Sequence, residues 1–345
     1  MKTPPLLRFV LVRVAALPFT ILAVLSISFL VTSVLPVDPA KTIAGPMATD
    51  EVVAGIRERL GLDRPLVERF TGYLGSLLGG DLGSSYATGQ PVSGEIAERL
   101  PATLTLIIPA LALAAVVGIG LGVVGAYHAG RRPASASGGI VTVLQAVPDF
   151  LLALVLVVVF ATGLGVLPGP EGQLSIGTDV PPRVTGSIPV DALLAGQWPV
   201  FADAVRHLIL PVLTLGLTYS ALIARISRAL LGNALAMECV RFARACGWSE
   251  WRVVRGALLI ARVPLLTYTA VLLAGLIGGA AIIEKVFSWG GFGQWTVDSM
   301  QKVDLPVIQA IVLFAGGATV VVYLAMDVLS GLLDPRIPIG RGKDR

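Results

Sequence analysis

The 345 residues are 55% hydrophobic and 14% charged, with a mean hydropathy of +0.83. A water-soluble domain carries about 25% charged residues, so this composition excludes an ordinary soluble fold and describes a polytopic membrane protein. The net charge of +4 follows from how such a chain is oriented in a bilayer and calls for no nucleic-acid partner.

Uncharged apolar stretches run from Val14 to Leu35, Leu100 to Tyr127, Gly138 to Val147, Phe150 to Pro170, Leu208 to Ala224, Val263 to Ile283 and Leu305 to Met326. A spanning helix needs roughly 20 residues, so the third and fourth stretches merge around Asp149. The chain then reads as all-α with six transmembrane helices. Lys2, Arg8 and Arg13 precede the first run as in a signal peptide, but the run exceeds an h-region of ~7 to 15 residues and is read as a retained span.

Residues 36–99 form an extracytoplasmic segment with helical signals of its own. Thr49 or Asp50 caps a helix over Glu51 to Leu60 that ends at Gly61, while Leu66, Phe70, Tyr73 or Leu74, and Leu77 recur at helical spacing. These helices either close over a pore mouth or simply cover neighbouring spans. Pro101 suits the first turn of the second span, where its missing N–H is no loss. Gly118, Gly120, Gly122 and Gly125 on that span allow another helix to approach closely. The outer loop from Glu171 to Arg206 is rich in Pro and Gly and reads as irregular. A Gly-rich turn at Gly290 and Gly291 carries Phe287, Trp289, Phe292 and Trp295, expected at the membrane interface.

Between the fourth and fifth spans lies a polar island, ECVRFARACGWSEWRVVRGALLIARVP, from Glu238 to Pro264. Arg241, Arg244, Arg252, Arg255 and Arg262 cannot lie in hydrocarbon, where each charge costs at least ~2.5 kcal/mol at the bilayer centre. The island is predicted to be a short helix, a turn at Gly247, and a second helix begun by Ser249 and Glu250. With this island inside, both termini are cytoplasmic and sixteen of the 26 Lys and Arg residues face the cytoplasm. Most of the outer ones sit in the long 36–99 segment, which the positive-inside rule discounts.

Cys239 and Cys246 lie seven helical residues apart, a rise of ~10 Å, beyond the ~6.8 Å Cα limit of a disulfide. Reduced thiols are expected. His128 and His207 are placed at the ends of other spans on opposite sides of the membrane, so no metal site is expected. No lysine lies in Gly-x-x-x-x-Gly-Lys-Ser/Thr, so the chain supplies no ATP site, and no cofactor is expected.

The island's Val240-Arg241-Phe242-Ala243-Arg244-Ala245-Cys246-Gly247 resembles the coupling, or EAA, loop of ABC-importer permeases in the form seen in dipeptide and oligopeptide permeases. Further words of that family stand in order: Gly80-Asp81-Leu82-Gly83-Ser84-Ser85, Arg99-Leu100-Pro101-Ala102-Thr103-Leu104, His207 to Gly216, Glu284 to Gly293, and Leu332-Leu333-Asp334-Pro335-Arg336. Gly290 replaces a usual proline, Cys246 a usual lysine, and Gly256-Ala257 a frequent His-Ala pair. The resemblance implies one permease domain over residues 1–345, of the type I importer fold, forming half of a pore for di- and oligopeptides. It further implies a second homologous permease, two cytoplasmic ATPases, an external substrate-binding protein and surrounding membrane lipid. Energy would enter through the 238–262 loop, at Glu238, Arg241, Ala243, Arg244, Ala245, Gly247, Trp248 and Ser249, and drive alternating access.

A nickel, glutathione or other solute importer on the same scaffold is the nearest alternative. An intramembrane enzyme or a secondary carrier would show paired polar groups or several buried carboxylates within the spans, whereas Asp149 is the one clear acidic interruption. If the third span starts near Gly139, Asp149 sits near the midplane facing the pore, where it would attract a peptide's ammonium end. If the span starts at Pro148, Asp149 is an interfacial carboxylate at a helix N-terminus.

Overall fold

The computed structural model describes residues 5–34, 38–45 and 47–333. The Asp334-Pro335-Arg336 word and the basic residues Lys2, Arg336, Arg341, Lys343 and Arg345 lie outside them. Fourteen α-helices and a short π-helical stretch make up the described chain, with no sheet among those residues: α1 Pro5–Val34, α2 Pro39–Ala44, α3 Asp50–Arg59, α4 Leu66–Leu78, α5 Val92–Tyr127, α6 Arg132–Ala146, α7 Asp149–Leu156 continued by π-helical Val157–Gly163, α8 Ile188–Leu194, α9 Trp198–Ala236, α10 Glu238–Ala245, α11 Glu250–Gly279, α12 Ala281–Val286, α13 Phe292–Gln301 and α14 Leu305–Leu333.

Among the described residues four helices are long and apolar enough to cross a membrane: α5, α9, α11 and α14 from Leu305 to Ser330. The pair α6 and α7 raises this to five if it counts as one broken span, and α1 contributes a shorter apolar run from Pro18 to Leu30. The run read as one merged third span is two helices at an angle. Its two halves meet at 99°, because Pro148 disfavours the helical conformation at the residue before it, and Val147 is extended there at φ −91°, ψ 120°.

Helix α9 is the centre of the bundle. Its most apolar stretch is 56% buried, against 17% to 28% for the other three long helices, and it packs against α5, α6, α7, α8, α10 and α11. The closest of these contacts, with α5, runs over glycines. A Cβ on Gly118 would stand 2.6 Å from the Ser220 carbonyl oxygen, one on Gly122 would overlap Ser227 Cβ, and one on Gly125 would meet Arg228 Cδ at 3.0 Å. From the other side, a Cβ on Gly216 would meet Leu113 Cδ2 at 2.6 Å. Gly120 faces away, with nothing within 4 Å of its Cβ position.

Three further expectations are corrected. Helix α5 begins at Val92, so Pro101 sits inside it rather than in its first turn. The Ala97 carbonyl, which Pro101 has no N–H to reach, instead accepts from Arg183 Nη2 at 2.8 Å. The 171–206 loop is not irregular throughout, since α8 and the first turns of α9 lie in it, and His207 stands well inside α9 rather than at its end. In that loop the buried Asp191 carboxylate gathers the backbone N–H groups of Thr185 and Gly186 and the Thr185 hydroxyl, enough to order a turn just before α8. Thr49 stands at the N-cap of α3, but its side chain makes no capping bond.

The contrast between Gly122 and Gly120 gives a direct test. Gly122→Leu overpacks the α5–α9 contact and is expected to lower stability by at least ~1 to 3 kcal/mol, read as a fall in the thermal unfolding temperature of the purified protein. Gly120→Ala is expected to leave it unchanged or raise it slightly.

Candidate functional site

The polar island folds as its residue types dictate. Helix α10 ends in a left-handed turn at Gly247, φ +81°, in which Gly247 N–H donates to the Arg244 carbonyl at 2.9 Å and Trp248 N–H to the Ala243 carbonyl at 3.1 Å. This paired bonding is the Schellman closure, and only a residue free to take positive φ completes it without strain. Ser249 is extended and Glu250 opens α11. Across the turn, Arg244 Nη2 pairs with Glu250 Oε2 at 3.2 Å.

The island rests on few contacts of its own. Val240 is the buried side chain of α10, and Val253 anchors the first turns of α11. Glu238, Arg241, Arg244, Ala245, Gly247, Trp248 and Ser249 are all exposed, and Ala243 is half-buried. Large apolar groups stand out beside them, with Phe242 70%, Trp248 51% and Trp251 71% exposed. Cys239, Val240, Phe242, Ala243, Cys246 and Trp248 of the island, with α11 residues from Arg252 to Ile260, line an apolar cavity of about 280 Å³. Exposed aromatics around an apolar hollow, edged by arginines, form a surface suited to receiving another protein. Cys239 and Cys246 are exposed free thiols.

Asp149 lies away from the island. It is the first residue of α7, directly after the sharp bend, with Pro148 at the N-cap and its Oδ1 accepting from Phe150 N–H at 2.8 Å. A carboxylate in that place is favoured by the helix dipole. It is half-buried.

The opposite end of the bundle holds two buried acids that sequence reasoning did not single out. Glu284, on α12, is fully buried. Its carboxylate accepts from the Thr103 hydroxyl of α5 at 2.6 Å and from Gln294 N–H of α13 at 2.8 Å. Burial raises its pKa above the ordinary carboxylate value, opposed by these hydrogen bonds. Asp304, between α13 and α14, accepts from the Ser85 hydroxyl at 2.6 Å, Tyr86 N–H at 3.0 Å and Ala87 N–H at 3.1 Å. It thereby fastens the end of the 36–99 segment to the start of α14.

Each acid lies beside a strained residue. Ser288 and Val303 both have φ +53°, a conformation that is a true outlier for a β-branched side chain such as valine. Each occupies the place glycine takes in the island's turn, and the next residue is held firmly. Trp289 Nε1 donates to the Ala102 carbonyl at 2.9 Å, and Asp304 carries its three partners. The aromatics expected at the membrane interface belong to this assembly instead. Phe287, Trp289, Phe292 and Trp295 are between 1% and 7% exposed and pack with Leu106, Ile107 and Leu276 in the main core. The signal available in the sequence was the acidic residue within an otherwise aromatic and glycine-rich run.

The helical architecture, the arginine-rich island between two long apolar helices and the ordered opposite end of the bundle meet in one class of protein. Residues 117–338 match the family model described as binding-protein-dependent transport system inner membrane component, and residues 6–107 match that family's N-terminal model. The chain belongs to this family and is a multi-pass permease component of the inner membrane. Among its relatives, the probable D,D-dipeptide transport system permease protein of Escherichia coli (strain K12) is 40% identical over 312 residues, 89% of this chain and 90% of that protein. The di/tripeptide transport system permease protein of Pseudomonas aeruginosa (strain UCBPP-PA14) is 37% identical over 305 residues, covering 87% and 89%. The glutathione transport system permease protein of Escherichia coli (strain K12) is 35% identical over 301 residues, also covering 87% and 89%.

The buried Glu284 gives a pH-dependent test. Because its folded pKa is raised, its contribution is intact below the ordinary carboxylate value and is lost as pH rises through the raised one. Thr103→Val removes a donor that favours the ionised form, and is expected to destabilise by ~1 to 3 kcal/mol where Glu284 is ionised. Thr103→Val also removes the acceptor of Phe292 N–H at every pH, so unfolding followed from acid to alkaline pH is expected to show a penalty that grows as Glu284 ionises, whereas an equal penalty throughout would locate the effect in that bond and in packing.

Proposed function

We propose that this chain forms half of the translocation pore of an ABC importer that takes up di- and oligopeptides. The single observation that carries the proposal is the island from Glu238 to Ser249, an ordered helix-turn-helix that presents Phe242, Trp248 and Trp251 beside exposed arginines on a chain of this permease family. Two ATPase subunits dock there from the cytoplasm, a homologous permease completes the pore, and an external binding protein delivers the peptide. Two relatives named for dipeptide and di/tripeptide transport, at 40% and 37% identity, support the peptide reading. The relative named for glutathione transport supports a second reading, in which the cargo is that peptide-like thiol. Uptake assays with labelled dipeptides and glutathione separate the two.

In this reading the chain crosses the membrane six times, α1 and the bent α6–α7 pair adding to the four long helices, with both termini and the island in the cytoplasm. The distribution of Lys and Arg supports it. Glu238, Arg241, Ala243, Arg244, Ala245, Gly247, Trp248 and Ser249 form the coupling contact. When the ATPases close, the island moves as a lever, and α9 and α11, which it joins directly, carry that motion into the membrane. Asp149, at the mouth of α7, attracts the ammonium end of the peptide as it passes. Asp149→Asn is expected to lower uptake of a free-amine peptide relative to its N-acetylated form, and an unchanged ratio leaves Asp149 only a structural place at the helix start.

Gly247→Val tests the coupling. It strains the left-handed turn by ~1 to 2 kcal/mol while meeting no neighbour within 4 Å, so folding is expected to survive. Uptake and substrate-stimulated ATP hydrolysis by the reconstituted complex are expected to fall together, with Gly247→Asn much milder. Wild-type values in the valine variant would remove the turn from the mechanism. The topology is checked with single cysteines at Ser84 and Ser249 in a chain lacking Cys239 and Cys246. An impermeant maleimide applied to intact cells is expected to label the first and spare the second.

A further inference from the structure

Where the outer segment meets α1 and α14, a cavity of about 350 Å³ is lined by Arg59, Arg64 and Arg69, by Tyr73 and Tyr86, and by Thr32 and Gln309 of the two long helices, among others. Glu68 is the one carboxylate on its wall. Among the described residues none of these three guanidinium groups has an ion-pair partner, whereas nearby Arg57 is matched by Asp38 and Asp63. Positive charge therefore exceeds negative in this hollow. The Tyr73 hydroxyl is buried without a hydrogen-bond partner, and burial pushes its pKa up to about 12, so it remains a protonated donor. Arg69 also lies 5.9 Å over the Phe29 ring.

Phe29 is shared with a second cavity of about 310 Å³, which is apolar and lined by Ser26, Leu30, Leu66, Val67 and Phe70. Its wall is open outward, with Leu30 54%, Leu66 52% and Val67 73% exposed. A cationic hollow with a free phenol donor thus adjoins an apolar groove along α1, which also exposes Leu22, Ile27 and Leu30. A bare anion would leave the groove empty, and an apolar chain alone would leave three arginines unmatched. An amphiphile with an anionic head satisfies both.

We propose that this paired cavity is a binding site for one anionic phospholipid, the phosphate seated among Arg59, Arg64 and Arg69 and an acyl chain lying in the groove of Leu30, Leu66 and Val67. Such a lipid fills the space between α1, α4 and α14 and ties the 36–99 segment to the bundle beside Asp304's fastening, since Tyr86 lines the cavity and donates its N–H to Asp304. The proposal rests on the chain's membrane placement, but not on which leaflet the segment faces.

The test uses the assembled transporter in nanodiscs of zwitterionic lipid containing a minor share of phosphatidylglycerol, followed by detergent exchange and native mass spectrometry. The wild type is expected to retain one phosphatidylglycerol per permease. Replacing all three arginines by alanine is expected to lower retention at least about tenfold, given ~1 kcal/mol per basic residue at an anionic membrane surface. The corresponding triple lysine variant, which keeps the charge, is expected to retain the lipid. Val67→Asp, which spoils only the groove, is expected to lose it. Equal retention by the wild type and the triple alanine variant overturns the proposal. So does displacement by inorganic phosphate together with full retention by Val67→Asp, which marks a site for a simple anion. Cross-linking of these arginines to the external binding protein, with no lipid retained, also overturns it. An inverted topology would appear as reversed maleimide labelling and would leave retention unchanged, so the two readings fail separately.

Discussion

Helix α9 holds the bundle together because its backbone comes closer to α5 than side chains permit. Gly118, Gly122 and Gly125 on one helix and Gly216 on the other leave room for carbonyl oxygens and Cβ atoms at distances that a single added methyl would violate. In a membrane there is no difference in hydrophobicity between lipid and a leucine face, so helices associate through such close packing rather than through burial from water. Other elements then attach to α9: α6 and α7 on either side of their bend, and the island's α10 at its end. The island can stand out with so few buried residues because α9 and α11, which flank it, are fixed elsewhere.

Helix ends are handled alike along much of the chain, and the exceptions carry information. Gly61, Gly80, Gly196 and Gly247 each close a helix in the left-handed conformation with the same pair of hydrogen bonds. Ser288 and Val303 close α12 and α13 in this way without glycine, a strain of about 1 to 3 kcal/mol at each site. Beside Ser288, Trp289 is held by its indole bond to the Ala102 carbonyl, and beside Val303, Asp304 is held by its bonds from Ser85, Tyr86 and Ala87. The end of the bundle opposite the island is thus tied by hydrogen bonds to buried carboxyl groups, while its middle is held by glycine packing. The island presents exposed apolar and basic surface.

The two ends of the bundle differ. The end opposite the island is fixed by Glu284 and Asp304, whereas the island is joined to α9 and α11 by short turns. The break at Pro148 places the Asp149 carboxylate at the start of a helix, where its charge is favoured by the dipole.

What the sequence determined by itself was whatever depends on local chemistry or overall composition. Hydropathy marked the long spans, and the arginine spacing with Gly247 marked a helix-turn-helix island, because charge, helix period and positive φ are properties of neighbouring residues. The glycines of α5 could be read as a packing face, though not which helix they receive. Tertiary structure alone decided the rest. Pro148 is a bend and Pro101 is not, because Arg183, far away in the chain, supplies a partner for the carbonyl that Pro101 leaves free. Phe287, Trp289, Phe292 and Trp295 are core rather than interface, because Thr103 and Ala102 of α5 receive the segment that carries them. Glu284 and Asp304 gain their meaning only from residues some 180 and 220 positions earlier, and no local pattern records a partner at that distance.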